Sequence, residues 1–522
     1  MTSTVPINVS KGLAKLQARD IVLVVQSACF ALGILVYASG LWLDDFQVQF
    51  AGVFLMFLSN VVYAALRLET RSMLLFLYLG MFLFWLTRPL FGIVYYDNGA
   101  WLNRIPSSVT FAFLAIAVAL FFTRLGCDCY EWVSDRWAPK RESRIARRAS
   151  KGKSHRLYGN DLAIKAIRQA SLIVFAICFV GAVAYRCQEF LYARSVSYEA
   201  LHLVSASTYS SSTLGTLSTM APYAMCVYLA TMPSKKPATT LLLLNIVTTV
   251  PTLLTGSRGS FVLAVLFLVF YYLFRAFARH EKGWVTKFEV TLVVVAVPLG
   301  IFGLGMVNYL RGGHDIAPES ILETFVDAFY KQGVTFSVLQ YAFNTNPDLQ
   351  LLGFKFYTLG PLTHTITQGF IGQQFLGCEL LPESNSIELA VKGTSYAHSM
   401  SYVTHWNYLG GEGYGSSFVL EAFADFGYAG MVVVSALVGI VMAFFSNRLT
   451  RGGLCGVTIA LLAARAVFFL PRAETLEWLS FLWATRFWLA VVIIALLALF
   501  LYWRLQKAHT IQSSTETITV SA

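Results

Sequence analysis

The sequence predicts an all-α polytopic membrane protein, and three observations carry that prediction. Of the 522 residues, 57% are hydrophobic and 13% charged, against about 25% charged in a soluble domain. Apolar runs of roughly 20 residues, the length that crosses a bilayer, recur along the chain. The basic excess, a net charge of +11, lies in short segments between those runs. That is the positive-inside pattern of a membrane protein, so no nucleic-acid partner is expected.

The polar segment 1–20 carries Lys11, Lys15 and Arg19 and is expected to be a cytoplasmic tail. The apolar run after it is too long for a secretory signal and has no small-residue cleavage site, so it reads as a retained first helix. Spans are expected at 21–43, 47–66, 72–96, 107–126, 169–187, 214–232, 238–254, 259–275, 289–309, 417–446, 454–471 and 483–503, about twelve in all. Segment 238–254 is short, and 454–471 holds Arg465 inside it. The chain therefore divides into helices 1–4 over 21–126, a basic loop 127–168, helices 5–9 over 169–309, a large loop 310–416 before the tenth helix, helices 10–12 over 417–503 and a tail 504–522. The Ser/Thr-rich end 509–522 reads as disordered.

Charge counting orients these spans. Loop 127–168 holds eleven Lys and Arg and is expected in the cytoplasm. Every second connection from it is also basic: Arg67/Arg71, Lys235/Lys236, Arg275/Arg279/Lys282/Lys287, Arg448/Arg451 and Arg504/Lys507. Both termini then lie in the cytoplasm, and 188–213, 255–258, 310–416 and 472–482 lie outside. The outer loop 310–416 is far longer than an ordinary connection and is expected to be functional. Eight Cys occur without metal-ligand spacing, and Cys127-x-Cys129 is too short for a zinc ribbon. Cys187 and Cys378 fall on the outer side, where an oxidising compartment would permit them to pair.

Three stretches hold the chemistry. In Thr255-Gly256-Ser257-Arg258-Gly259, an arginine lies at the outer start of a membrane helix. The free N–H groups at Gly259 and Ser260 and the positive end of the helix dipole favour an anion there, and Arg258 adds a planar donor fork that matches phosphate. An arginine snorkelling to headgroups is the plainer reading. Asn308-Tyr309-Leu310-Arg311-Gly312-Gly313-His314-Asp315 repeats the theme, with Arg311 and His314 where a helix leaves the membrane. Two such sites at one depth point to a shared anion such as a diphosphate. The third stretch, Gly410-Gly411-Glu412-Gly413-Tyr414-Gly415-Ser416-Ser417, runs into a helix with Glu421 and Asp425 on one face. A carboxylate at that depth is a candidate base for a sugar hydroxyl, or simply an acid at a helix N-terminus. Arg465 should face a cavity or partner, and Arg472 and Arg486 add to an outer anion site or snorkel. His364, His398 and His405 in the outer loop are backup bases or surface residues.

These stretches resemble the bacterial O-antigen (oligosaccharide repeat unit) polymerases, the Wzy-type family. The T-G-S-R-G turn before a helix, the Gly415-Ser416-Ser417-Phe418 run into Leu420-Glu421-Ala422-Phe423 and Phe426-Gly427, and the large outer loop before a late helix all resemble that family. The resemblance implies a glycosyltransferase C-like helical fold. It also implies transfer of a growing glycan from undecaprenyl pyrophosphate to a lipid-linked repeat unit, at the periplasmic face of the bacterial inner membrane. No cofactor is implied, and the sequence contains no DxD motif or P-loop. Catalytic roles fall to Arg258, Arg311 and Glu421. Ser257, Gly259, His314, Asp425, Arg465, Arg472, His398 and His405 would bind substrate. Tyr402, Trp406 and Tyr408 would grip sugars, and a chain-length regulator in the membrane is a further expected partner. The alternatives are an O-antigen ligase, which should place a critical His in the outer loop, a lipid-to-protein oligosaccharyltransferase, and a lipid-linked oligosaccharide flippase, which should show internal repeats.

Overall fold

The computed structural model describes residues 8–96, 102, 105–149, 161–196, 203–312 and 321–521. They form helices and connecting turns, with no strand among the described residues. The long helices are α1 (Asn8–Leu43), α2 (Phe46–Ala65), α3 (Leu68–Tyr96), α4 (Pro106–Ala149), α5 (Asp161–Ser195), α6 (Ser212–Ala230), α7 (Lys235–Leu254), α8 (Gly259–Ala278) and α9 (Lys287–Gly312). The outer loop of the sequence reading contains α10 (Ile321–Gln332), α11 (Thr335–Leu351), α12 (Gly360–Gln368), α13 (Ile387–Lys392) and α14 (Tyr396–Thr404), followed by α15 (Phe418–Arg451), α16 (Leu454–Arg472) and α17 (Thr485–Ser521). Among the described residues, ten helices are long and apolar enough to cross a membrane. The segments expected as spans at 214–232 and 289–309 are helical too, as α6 and α9, but are not among the ten.

Two boundaries differ from the sequence reading. Helix α4 does not end at 126 but continues to Ala149, through much of the expected loop 127–168. Helix α17 runs on to Ser521, through the tail expected to be disordered. Hydropathy falls at both places before the helix ends; in α4 the stretch 138–149 is rich in Ala, Arg, Lys and Glu, which are good helix formers, whereas propensity does not account for the Ser/Thr-rich end of α17.

Helix pairs approach until backbones touch. A Cβ on Gly439 of α15 would overlap the carbonyl of Thr123 in α4, and a Cβ on Gly126 would overlap the carbonyl of Ala436. Small residues at a crossing permit this approach where lipid supplies no hydrophobic drive between helices. Gly80 of α3 meets the Phe468 carbonyl of α16 in the same way.

At the end where α3 begins and α8 ends, basic residues are tied to acids. Arg71 is buried and binds Glu131 through two hydrogen bonds, of 2.8 and 2.6 Å, while its third nitrogen reaches the Tyr63 carbonyl. Arg275 grips Glu281 with the same two-pronged geometry, at 2.9 and 2.6 Å, and also reaches the Pro233 carbonyl. Lys235 pairs with Glu289 and donates to the Gly283 carbonyl. Bidentate pairing of this kind fixes geometry as well as charge.

At the opposite end α10–α14 fold down as a helical cap. Phe329 packs on Phe91 and Tyr330 on Tyr96 of α3, while Phe336 and Phe343 of α11 pack on Phe113 and Phe111 of α4. Beneath this cap α15 is broken. Gly427 has φ 62° and ψ −150°, a conformation open essentially only to glycine, so residues 418–426 form a short helix distinct from the spanning part 428–451. Residues Phe418 to Phe423 are buried without interruption, and the helix surfaces only in its last turn, at Phe426.

Substituting Gly439 by leucine forces α4 and α15 apart at their backbone contact. We expect a destabilisation of at least ~1–3 kcal/mol, seen as a lower melting temperature and a smaller monodisperse peak in detergent size exclusion. Gly453→Ala, at an ordinary φ of −78° with nothing within 4 Å, should match wild type.

Candidate functional site

The T-G-S-R-G turn closes the α7–α8 hairpin at the cap end. Gly256 takes φ 98°, and the N–H groups of Thr255, Gly256 and Ser257 bond back to Pro251, Leu253 and Thr252. The first bond within α8 runs from Val262 N–H to the Arg258 carbonyl, and no side chain caps the helix. The N–H groups of Gly259 and Ser260 thus point along the axis with the positive end of the dipole. Gly259 abuts Phe469, which lies edge-on to Phe84 with centroids 5.0 Å apart. The Arg472 guanidinium sits 5.7 Å from the same Phe84 ring, and Gly415 packs against the Arg472 backbone and side-chain stem. The turns carrying Arg258, Arg472 and the glycine-rich loop therefore meet around one aromatic pair.

Glu421 is fully buried and accepts three hydrogen bonds: from Ser416 Oγ at 2.6 Å, Thr475 N at 2.8 Å and Thr475 Oγ1 at 2.6 Å. It clasps the glycine-rich loop to the turn between α16 and α17. That turn is held again by Trp85 Nε1 donating to the Pro471 carbonyl, and by Trp478 Nε1 donating to the Thr475 carbonyl. Asp425, one helical turn on, accepts from Tyr357 N, Thr358 N and Thr358 Oγ1 at 2.9, 2.8 and 2.7 Å. It anchors the cap to the short helix, so its oxygens face protein donors rather than Glu421.

The same turn holds two further acids. Glu474 lies between the Glu421 clasp and the cap, near Gly360 and bonded to Ser395. Burial pushes its carboxyl up to about 7, and the Ser395 hydrogen bond offsets only part of that. Glu477 begins a short 3₁₀ turn, Glu477–Leu482, and lines a cavity. By surface area Glu477 is exposed, yet protein surrounds it, as it does any residue on a cavity wall, and this desolvation raises its pKa.

That cavity, of about 280 Å³, lies between α5, α6, α7, α8, α16 and the 477–481 turn. Its wall includes Arg186, Arg465, Asn245, Thr248, Ser260 and Glu477. A second cavity of about 570 Å³ adjoins it, sharing Arg186, Ser218, Tyr223 and Arg465, and adds Arg486, Glu383 and serines at the start of α6. Three arginines from α5, α16 and α17 thus converge. Arg186 pairs with Glu189 at 2.8 Å, and Arg486 reaches Thr219 at 3.4 Å. Arg465 makes no ion pair within 4 Å among the described residues. A half-buried cation beside a polar cavity in a spanning segment is costly unless an anion joins it. Because Ser260 belongs to the first turn of α8, the cavity also reaches the helix start beside Arg258.

The structure gathers Ser257, Arg258, Gly259, Glu421, Arg465 and Arg472 in this region. The Arg311 side chain and all of His314 lie outside the described residues. His398 hydrogen-bonds the Tyr408 hydroxyl at 3.1 Å, and burial, then nearby His364, holds it below the ordinary histidine range. His405 lies 3.5 Å from Glu412 and accepts from Asn407 N–H. Both histidines are thus tied to the glycine-rich loop and its neighbours. Tyr408 is 2% exposed and presents no open face, whereas Trp406 is 91% exposed. Cys187 and Cys378 are free thiols. Sequence reasoning missed Arg186, Glu474, Glu477 and Arg88. Arg88 lies between two π-helical turns of α3, with its guanidinium 4.7 Å from the Tyr330 ring. The available signal was a concentration of charge at the cap-side ends of spans in a chain poor in charge.

Comparison with known proteins gives one match. No curated protein and no solved structure matches the chain. The family model described as O-antigen polysaccharide polymerase Wzy matches residues 21–504. With nearly the whole helical bundle inside that match, and a broken helix, a cap and an arginine-lined cavity at one end of it, the chain belongs to the Wzy family of O-antigen polysaccharide polymerases.

Proposed function

We propose that this chain extends a surface polysaccharide by moving a growing glycan from undecaprenyl pyrophosphate to a lipid-linked oligosaccharide repeat unit, at the periplasmic face of the inner membrane. The observation that carries this reading is the convergence of Arg186, Arg465 and Arg486 on joined cavities that reach the start of α8. A diphosphate is a doubly charged anion with planar oxygen faces, and arginine forks from several helices match it. As the sugar–oxygen bond breaks, negative charge grows on the departing diphosphate. Donors already in place stabilise that charge at no cost of rearrangement.

In this reading Arg258 and the α8 N-terminus, with Arg311 and Arg472, hold the outer side of the diphosphate, and Arg465 holds the side toward the membrane. Ser257 and Gly259 shape the turn that presents Arg258. Glu421 acts by clasping Thr475, which sets the turn that borders the cavity. Asp425 keeps the cap in place, and His398 and His405 support the glycine-rich loop. The exposed Trp406 offers an aromatic face to the saccharide. The basic end of the bundle faces the cytoplasm, consistent with its Lys and Arg content. A chain-length regulator would meet the protein in the membrane.

Removing the chain from its cell should collapse the polysaccharide ladder on a gel to lipid core bearing a single repeat unit. Loss of all capped core, with long lipid-linked polymer accumulating, would instead mean ligation, and repeat units trapped on the inner leaflet would mean transport. Arg465→Ala and Arg258→Ala should each lower the polymerisation rate by roughly 10²-fold or more while protein abundance stays near wild type; normal long-chain polymer from either removes that arginine from the site. Glu421→Gln replaces one acceptor oxygen by an amide NH2 that cannot accept from Ser416 or Thr475, so it should lower thermal stability by about 1–3 kcal/mol, read as a melting shift in detergent.

A further inference from the structure

The polymerisation reading leaves open which group takes the proton of the acceptor hydroxyl. Three carboxyls surround the α16–α17 turn, and the geometry sorts them. Glu421 is sealed from solvent, with both oxygens engaged by Ser416 and Thr475. An acceptor sugar reaches it only by breaking the clasp that orders the turn. Glu474 is directed at the cap, toward Ser395 and Gly360. Glu477 alone of the three opens on the arginine-lined cavity, on a wall shared with Arg186, Arg465 and Ser260.

We propose that Glu477 is the general base of the glycan transfer, set beside the arginine-held diphosphate by the Glu421–Thr475 clasp. The assignment rests on the polymerase reading above. The acceptor hydroxyl enters through the larger, serine-lined cavity, which joins the smaller one at Arg186, Ser218, Tyr223 and Arg465. Its O–H proton passes to the Glu477 carboxylate as the oxygen bonds to the anomeric carbon of the donor. The bond from that carbon to the diphosphate oxygen breaks, and its electron pair leaves with the diphosphate. Glu477 then releases its proton to water, which restores the carboxylate. The groups facing it are Arg186 of α5, Tyr223 of α6 and Arg465 of α16, with Glu474 and Glu421 behind it on its own turn and on α15. Burial raises its pKa, and the backbone hydrogen bond at Glu474 offsets only part of that, which makes Glu477 a stronger base than a solvated glutamate.

The test uses the purified full-length chain in detergent or nanodiscs, with diphosphate-lipid-linked repeat units as donor and acceptor. Glu477→Gln should lower kcat by about 100-fold or more, with KM within threefold of wild type and an unchanged elution profile. Glu477→Asp keeps the charge but withdraws it by one methylene, and should fall between the two; if E477Q does not fold, E477D carries the test with an expected loss of at least tenfold. A kcat within threefold of wild type for E477Q, or a loss that appears in KM alone, would mean that Glu477 is only a counter-charge for Arg465 and overturns the assignment. A wild-type chain that makes no polymer overturns the polymerase reading and this base with it.

Discussion

The clasp between Glu421 and Thr475 is the constraint from which the cap end of this protein is built. It joins segments more than fifty residues apart through two hydrogen bonds from one residue, and a third from Ser416 completes the carboxylate. A carboxylate taken wholly out of water is tolerable only when its oxygens are satisfied. Everything near it follows. The glycine-rich loop must lie close, so Gly415 packs on Arg472 where a side chain would collide. The α16–α17 turn must present the backbone N–H of Thr475, which puts Glu474 under the cap and Glu477 on the cavity wall. The chain changes direction after the short helix at Gly427, in a backbone conformation open essentially only to glycine.

The two ends of the bundle use arginine in opposite ways. At the basic end Arg71 and Arg275 are each matched by a bidentate glutamate and buried. Their charge is consumed in holding α2, α3 and α4, and the α8 end, together. At the cap end, Arg465 stands beside open volume without a carboxylate within ion-pair distance among the described residues. Matched arginines hold the basic end together, whereas Arg465, on the wall of a polar cavity, is the arginine the proposed diphosphate site draws on.

Much of this was legible in the sequence. Apolar runs located the helices because hydropathy measures what a spanning helix must satisfy. The T-G-S-R-G turn and Glu421 stood out because glycine, arginine and glutamate are each expensive in a membrane segment and so each require a local reason. What could not be read is long-range. Arg186 looks like an ordinary helix-end cation until α16 and α17 are brought beside it, and Glu477 looks like a charge in a short connection until the clasp at Thr475 aims its turn. Glu421 read as a candidate base, or as an acid at a helix N-terminus, from its position alone; the three donors that meet it, two of them on Thr475, are not visible there. The end of α4 was placed too early because the reading tracked apolarity, while backbone propensity carries that helix on.

The length of α4 has a mechanical consequence. At 1.5 Å per residue its 44 residues extend about 66 Å, roughly twice the hydrocarbon thickness of a bilayer. Glycine contacts seat it against α15 at Thr123 and Gly126, and farther along Glu131 binds Arg71 of α3 and Ser134 meets Asn447 of α15. About 22 Å of helix continues from Ser134 to Ala149. The helix is therefore a strut clamped at two levels, and a shift of α15 near the broken helix has to move both clamps together.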